Sequence, residues 1–373
     1  MPSEYDLICL SHLRWDFVTQ RPQHLIGRFA PSHRIFFVEE PVFDSEAPRL
    51  DVRPKPGGLQ VLVAHLPWGP TEAEHGQMYR TLLDAFMAEN AVTDYVLWYY
   101  TPMMVSWTDT LSPKAVVFDV MDELSAFANA HPELLGREQK LIEKADLLFT
   151  GGRSLYEGKK DRHPHVYLFP SSVDIAHFAK ARQPQAEPDD QKAIPHPRFG
   201  FFGVLDERID WELLAAVADL RPEWSWIMAG PRSGKISEDV LPLRPNIFYL
   251  GGKDYADLPT YLAGWDVAIM PFAINDATRF ISPTKTPEYL AGGKPVVSTP
   301  ILDVVRQYGE PGLAHIAATP AEFVLACEAA LTEDHVARLA QVDPVLANMS
   351  WDTTWAKMHD LIEEVVAGKS PSY

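Results

Sequence analysis

Ser282–Thr299 reads SPTKTPEYLAGGKPVVST. Ser282 and Thr284 carry the side-chain oxygens that cap helices. Pro287 suits a first turn, because its missing N–H would have no intrahelical partner there. The expected helix, Thr286–Ala291, is very short, since Gly292 and Gly293 end it. Pro295–Ser298 is apolar and β-branched, so it reads as a strand. The first backbone donors of this helix, with Lys285, make an anion site suited to a phosphate or diphosphate. Glu288 follows about one turn later, where a carboxylate can accept hydrogen bonds from neighbouring hydroxyls. A surface helix with a solvated Lys and Glu fits the same spacing, and the residues alone leave both readings open.

Outward from this stretch, short apolar runs alternate with helical patterns. Tyr5–Leu10, Arg34–Val38, Leu59–Val63, Tyr95–Tyr99, Ala115–Phe118, Leu147–Thr150 and Val166–Phe169 read as buried strands. Helix candidates at Pro22–Phe29, Glu72–Asn90, Pro132–Ala145 and Ser154–Lys160 lie between them. Residues 182–197 are polar and proline-rich, so they read as a linker. The alternation restarts with strands Arg198–Phe202, Trp224–Ala229, Ile247–Leu250 and Val267–Pro271. A helix from about Thr353 to Val366 closes the chain. Alternation of this kind predicts an α/β protein with two doubly wound, Rossmann-like domains facing across a cleft. The expected division is 1–181, a linker 182–197, and 198–350, with 351–373 crossing back to the first domain. Ligands in such sheets bind beyond the carboxyl ends of the strands.

Composition narrows the function. The chain has 373 residues and a formal net charge of −18, which argues against nucleic-acid binding. A small anionic ligand needs only a few local cations and stays allowed. Cys9 and Cys327 have neither metal nor redox spacing. The first residues lack the pattern of a signal peptide, and no apolar run approaches bilayer-spanning length. The expected location is the cytoplasm, with peripheral contact to the inner face of the membrane left open.

Two strand ends are dense in chemistry. Ser11–His24 (SHLRWDFVTQRPQH) follows the first strand and carries His12, Arg14, Trp15, Gln20 and Arg21. A hydrogen-bonded structural loop is the alternative there. Phe118–Glu123 (FDVMDE) places Asp119, Asp122 and Glu123 after another strand, where a carboxylate can act as general base on a hydroxyl. Asp122 is the first choice, with helix capping as its plain alternative. Glu39-Glu40 reads as an ordinary strand-end charge pair. Gly230–Lys235 (GPRSGK) lacks the spacing of a phosphate loop. The chain has no Asp-x-Asp pattern (Asp189-Asp190, in the linker, are adjacent), and His163-Pro-His165 is unconvincing as a metal site. Neither metal nor other cofactor is expected.

The 282–299 stretch resembles the nucleotide-sugar signature of GT-B glycosyltransferases, in which a Glu opens a Glu-Tyr-Leu-Ala-x-Gly-x-Pro-Val-Val unit. Pro170-Ser-Ser-Val-Asp174…Phe178, Phe201-Phe-Gly203 and Gly251…Tyr255…Leu258-Pro-Thr-Tyr-Leu262…Asp266-Val…Pro271 resemble further segments of that family. The resemblance runs from about residue 140 to 310. Trp15-x4-Gln-Arg-Pro-Gln-His24 is similar to a segment of bacterial glycosyltransferases linked to cell-surface polysaccharides. The resemblance implies that Glu288 holds the donor ribose. It implies that Ser282, Thr284, Lys285, Arg279 and Arg208 surround the diphosphate, and that Gly230 and Tyr255 lie beside the nucleotide. Asp122, Asp119 and His12 are then the catalytic candidates, and Arg14, Trp15, Gln20, Arg21 and Glu123 the acceptor side. Two features depart from the large retaining family: Phe280 stands where that family has a second Glu, and only Arg208 remains of an Arg and Lys pair after Gly203.

The function so implied is metal-independent transfer from a nucleotide sugar, with UDP the expected base, to a saccharide or lipid-linked acceptor. A non-catalytic nucleotide-sugar-binding subunit is the alternative of another class. A nucleotide-sugar epimerase is a third.

Overall fold

The protein is described by a computed structural model covering residues 5–127, 130–234 and 236–368. Lys235, expected beside the nucleotide loop, lies outside the described residues, as do the last five residues of the 351–373 segment. The chain divides into two units, Met1–Pro170 with Asp352–Tyr373, and Ser171–Trp351.

In the first unit the apolar runs become strands β1 (Asp6–Ser11), β2 (Ile35–Phe43), β3 (Arg49–Pro54), β4 (Leu59–Leu66), β5 (Tyr95–Tyr99), β6 (Ala115–Val120), β7 (Leu147–Thr150) and β8 (Val166–Leu168). Their order is β3-β4-β2-β1-β5-β6-β7-β8. β1 sits centrally, with Leu7 opposite Ile35 on one side and Val96 on the other. β1, β5, β6 and β7 are buried throughout, as parallel strands covered on both faces must be. Only β3 runs antiparallel, against β4. Arg49, Asp51 and Arg53 alternate along β3, a charged edge that discourages pairing with another chain. That polarity hid β3 from an apolar-run reading.

The closing helix, Trp351–Val366, buries Met358, Leu361 and Ile362. Trp355 packs edge-on against Phe29 with ring centroids 5.6 Å apart, and the Tyr5 hydroxyl donates to Glu363 at 2.7 Å.

The second unit holds β9 (Arg198–Phe202), β10 (Ser225–Ala229), β11 (Ile247–Gly251), β12 (Val267–Met270), β13 (Val296–Ser298) and β14 (His315–Ile316), all parallel. Their order is β11-β10-β9-β12-β13-β14. Trp226, Trp265 and Tyr289 fill its core.

The break between units falls after Pro170 rather than at 182–197. The expected linker is packed structure. Gln191 is fully buried, donating to the Tyr261 carbonyl at 3.0 Å and accepting from the Trp265 indole at 2.9 Å. Ile194 is buried, and its carbonyl accepts from the Arg198 side chain at 2.8 Å. Prolines set the turns, while the polar side chains satisfy groups of the second unit. Two further elements lie outside the pattern reading: the helix His335–Leu346, which contains Pro344, and a π-helical turn, Val305–Gly309, that continues the short helix Leu302–Val304.

Candidate functional site

The helix Lys285–Ala291 lies across the carboxyl ends of β9 and β12 and is fastened to both. The Tyr289 hydroxyl accepts from the Phe202 backbone N–H at 3.0 Å, and the Thr286 hydroxyl contacts the Met270 sulfur at 3.2 Å. At its end Gly293 takes φ +82°, and the Lys294 N–H reaches back to the Tyr289 carbonyl at 3.0 Å. That left-handed closure favours glycine. Arg182 donates to the Ala291 carbonyl at 2.6 Å, and Arg338 donates to the Gly293 and Lys294 carbonyls. Cations thus satisfy the carbonyl end, where the helix dipole is negative. Thr284 occupies the N-cap position in a helical conformation without a side-chain cap, and the Ser282 carbonyl accepts from Ser171. The expected capping role of Ser282 and Thr284 is therefore corrected: the helix is held by its packing and its carboxyl end.

Glu288 is buried, and its Oε2 has no hydrogen-bond partner. Burial pushes its carboxyl up to about 7, against the pull of Lys285. Burial likewise lowers the Lys285 ammonium, with Glu288 opposing and Arg208 adding to the shift. Neither residue is the solvated side chain of a surface helix. Gly203, at the end of β9, lines the same place: a Cβ there would lie 2.9 Å from Lys285 Cε. Gly230, after β10, packs directly on it, since a Cβ at Gly230 would fall 1.7 Å from the Gly203 carbonyl oxygen. The segment after Gly203 is tied back to both neighbouring strand ends, with Leu205 N–H on the Pro231 carbonyl and Ala273 N–H on the Arg208 carbonyl. Arg208 forks onto Asp206, its Nη2 lying 2.6 Å from Oδ2. Asp206 was not foreseen; its only sequence signal is its position two residues before Arg208 in a strand-end loop.

The structure thus gathers Gly203, Asp206, Arg208, Gly230, Lys285 and Glu288. Two further donor-side candidates have partners of their own. Arg279 is exposed over the ring of Phe280, 5.2 Å from its centroid. Tyr255 stacks on His177 at 4.4 Å, and its carbonyl accepts from the His177 ring at 2.9 Å.

In the first unit, several candidates prove to be fastened to one another. Asp119 is wholly buried at the end of β6 and takes a forked ion pair from Arg21, with Nε–Oδ2 at 2.9 Å and Nη2–Oδ1 at 3.0 Å. Arg21 also donates to the Phe169 carbonyl at 2.9 Å. This pair ties the helix Arg21–Ile26 to the sheet. Asp119 is thereby corrected from catalytic candidate to structural residue, and Arg21 from acceptor ligand to its partner. The 11–24 loop is largely self-satisfied. Arg14 donates to Glu39 at 3.0 Å, the Trp15 N–H donates to Glu39 at 2.8 Å, and the Trp15 ring meets Phe37 edge-on. Gln20 forms a reciprocal cap with Gln23, whose side chain also donates to the Trp15 carbonyl at 2.9 Å. His12 Nδ1 lies 3.1 Å from the Tyr100 carbonyl. Glu123 accepts from Lys159 and Ser125, both at 2.7 Å, and is part of a buried ion network with Glu138. Asp122 is half-buried beside these residues.

Residues 196–333 match the family described as Glycosyl transferases group 1. The chain is 24% identical over 258 residues to the "Putative teichuronic acid biosynthesis glycosyltransferase TuaH" of Bacillus subtilis (strain 168), over 64% of each chain. It therefore spans just under two thirds of that relative's length. A sucrose-phosphate synthase from Thermosynechococcus elongatus has the same fold, with TM-score 0.76 and 14% identity over 98% of this chain and 100% of that one. An E. coli structure described as trehalose-6-phosphate bound with UDP-2-fluoro glucose gives TM-score 0.70 and 13% identity over 97% and 99%. Residues 196–333 thus resemble the group 1 glycosyltransferase family, and the chain has the GT-B fold of these structures.

The matched segment contains Gly203, Arg208, Gly230, Lys285 and Glu288, so the buried carboxylate and its ammonium neighbour fall inside it. The candidates of the 11–24 loop and of β6 fall outside it. No described helix of the chain is long and apolar enough to cross a membrane.

Proposed function

We propose that the chain transfers a sugar from a nucleotide-sugar donor, with UDP the base, to a saccharide or lipid-linked acceptor, working in the cytoplasm with its acceptor presented at the membrane surface. The observation that carries this reading is Glu288: a buried carboxylate with an unpaired oxygen, raised in pKa, one turn into a helix that also presents Lys285. A carboxylate left unpaired in a buried site costs stability unless a ligand completes it. Two ribose hydroxyls donating to Glu288 would do so. Lys285 then faces the diphosphate, where its charge favours the leaving nucleotide as negative charge develops on it. Gly203 leaves room beside Lys285 that a side chain would fill, and Gly230 packs directly behind it. Asp122 serves as base for the acceptor hydroxyl, at the carboxyl end of β6. The step as proposed draws on these groups without a metal. The UDP-sugar named with the E. coli neighbour and the polymer named with the B. subtilis relative support the substrate class.

The test is a mass-spectrometric screen of nucleotide sugars with saccharide and lipid-linked acceptors. Glu288→Ala and Lys285→Ala are each expected to lower kcat/KM by about 10- to 100-fold, the scale of a lost charged hydrogen bond. Transfer undiminished in both variants would overturn the reading. Phe280, standing where the retaining family has an acidic residue, favours one second reading: a subunit that binds the nucleotide sugar without transferring it. Calorimetric binding without product from any acceptor would establish that one instead.

A further inference from the structure

We propose a zinc site in the first unit, formed by His33, His359 and Glu363. Among the described residues these three offer ligand atoms that all lie within 4.8 Å of one another. They come from two places far apart in sequence. His33 precedes β2, while His359 and Glu363 sit one turn apart on the closing helix, 3.5 Å from each other. Two imidazoles and one carboxylate are a donor set that suits zinc, with the fourth tetrahedral position left to water.

The surroundings orient these ligands as metal sites require. Ser32 Oγ lies 2.8 Å from His33 Nδ1, which directs Nε2 toward the cluster. The Tyr5 hydroxyl donates at 2.7 Å to Glu363 Oε1, the oxygen that lies 3.5 Å from His359 Nε2, and so holds the carboxylate at the cluster. Such outer hydrogen bonds fix ring orientation and carboxylate rotamer. The rings of Tyr5, Phe29 and Trp355 wall the histidines, with Tyr5–His33 centroids at 4.6 Å and Trp355–His359 at 5.1 Å. A cavity of about 480 Å³ shares Tyr5, Ser32 and His33 with the cluster and supplies an entry path. Zinc–ligand bonds of about 2.0–2.2 Å set tetrahedral ligand atoms about 3.4 Å apart, so binding draws these side chains together from their separations of up to 4.8 Å.

The placement separates this site from glycosyl transfer. Tyr5 and His33 stand before β1 and β2, at the amino ends of those strands. The 11–24 loop and Asp122 follow β1 and β6, at the opposite end of the sheet. The metal therefore acts as a clasp between the closing helix and the start of the sheet.

Calorimetry and thermal unfolding of the full chain, with zinc added after chelator treatment, test this. One zinc per chain is expected, with a rise in unfolding temperature. His359→Phe keeps the ring packing and removes a ligand, so it is expected to stay folded by circular dichroism and to lose at least about 100-fold in zinc affinity. Glu363→Gln, which keeps the Tyr5 hydrogen bond, is expected to weaken zinc similarly, while His163→Ala, remote from the cluster, binds as wild type. The cobalt(II)-loaded wild type should show the visible absorption of a four-coordinate ion. Absence of zinc binding by the wild type at micromolar concentration, or wild-type binding by folded His359→Phe, would overturn the site, whatever the outcome for the nucleotide sugar.

Discussion

Glu288 shows how one residue joins stability to binding. Its carboxyl is raised by burial to about 7, above its ordinary value. Above the ordinary carboxylate range an unfolded chain releases this proton freely, whereas the folded chain must keep it or bury a charge. Stability is therefore lost as pH rises from the ordinary carboxylate range to about 7, and the full loss persists above it. Glu288→Gln removes that cost. The ligand-free variant is expected to be more stable than wild type by roughly 2–3 kcal/mol at about pH 8, and nearly equal to it at about pH 5, by denaturant unfolding. Hydroxyl donors bound to Glu288 favour its charged form. Nucleotide binding should then release a proton and strengthen between about pH 6 and 8, which calorimetry in buffers of different ionisation enthalpy reads directly. Gly230 is the other decisive residue. Its Cβ would meet a backbone carbonyl at 1.7 Å, which no side-chain rotation relieves. Gly230→Ala is expected to cost more than about 4 kcal/mol, measured by chemical denaturation, or to leave the chain unfolded.

Among the elements, the helix Arg21–Ile26 is anchored by a single buried ion pair, and its fate depends on both partners. Removing one charge strands the other. Arg21→Met is expected to destabilise the protein by about 3–5 kcal/mol, because Asp119 stays buried without its partner. The double variant Arg21→Met/Asp119→Leu should recover most of that loss, since two apolar residues leave no buried charge. Equal destabilisation in single and double variants would show that the pair is not what holds the helix. The pair was visible in the sequence only as two polar residues at two strand ends. Their distance along the chain, 98 positions, gave no reason to join them. The same holds for Glu39, which organises the 11–24 loop by accepting from Arg14 and Trp15. Reading that loop as a ligand-binding cluster overlooked how many of its donors serve the loop itself. The helix at 285–291 was legible because all its signals are local: the proline, the glycine pair and the apolar strand behind it.

For the whole molecule, the closing helix is part of the first unit although it is encoded last. It buries Met358, Leu361 and Ile362 and covers Phe29 and Tyr5. A chain ending at Trp351 is expected to lose amide protection in β1, β2 and β5 while β9, β10 and β12 keep theirs, by hydrogen exchange with mass spectrometry. Uniform loss across both sheets would mean that the units do not hold their own cores.

The residues by themselves determined the α/β class, most strands of both sheets, and the stretch around Glu288, because alternation, glycine pairs and helix punctuation are properties of neighbours in the chain. They put the start of a second unit near Arg198, whereas that unit begins at Ser171. Only the tertiary structure decided which polar residues pair with which. It turned Asp119 and Arg21 from candidate catalytic and binding groups into a buried strut. It made the proline-rich 182–197 segment part of a packed unit. It also brought His33 within reach of His359 and Glu363. The physical reason is the same in each case: a charged or polar side chain takes its role from what lies across space from it when water is excluded, and sequence spacing does not record that.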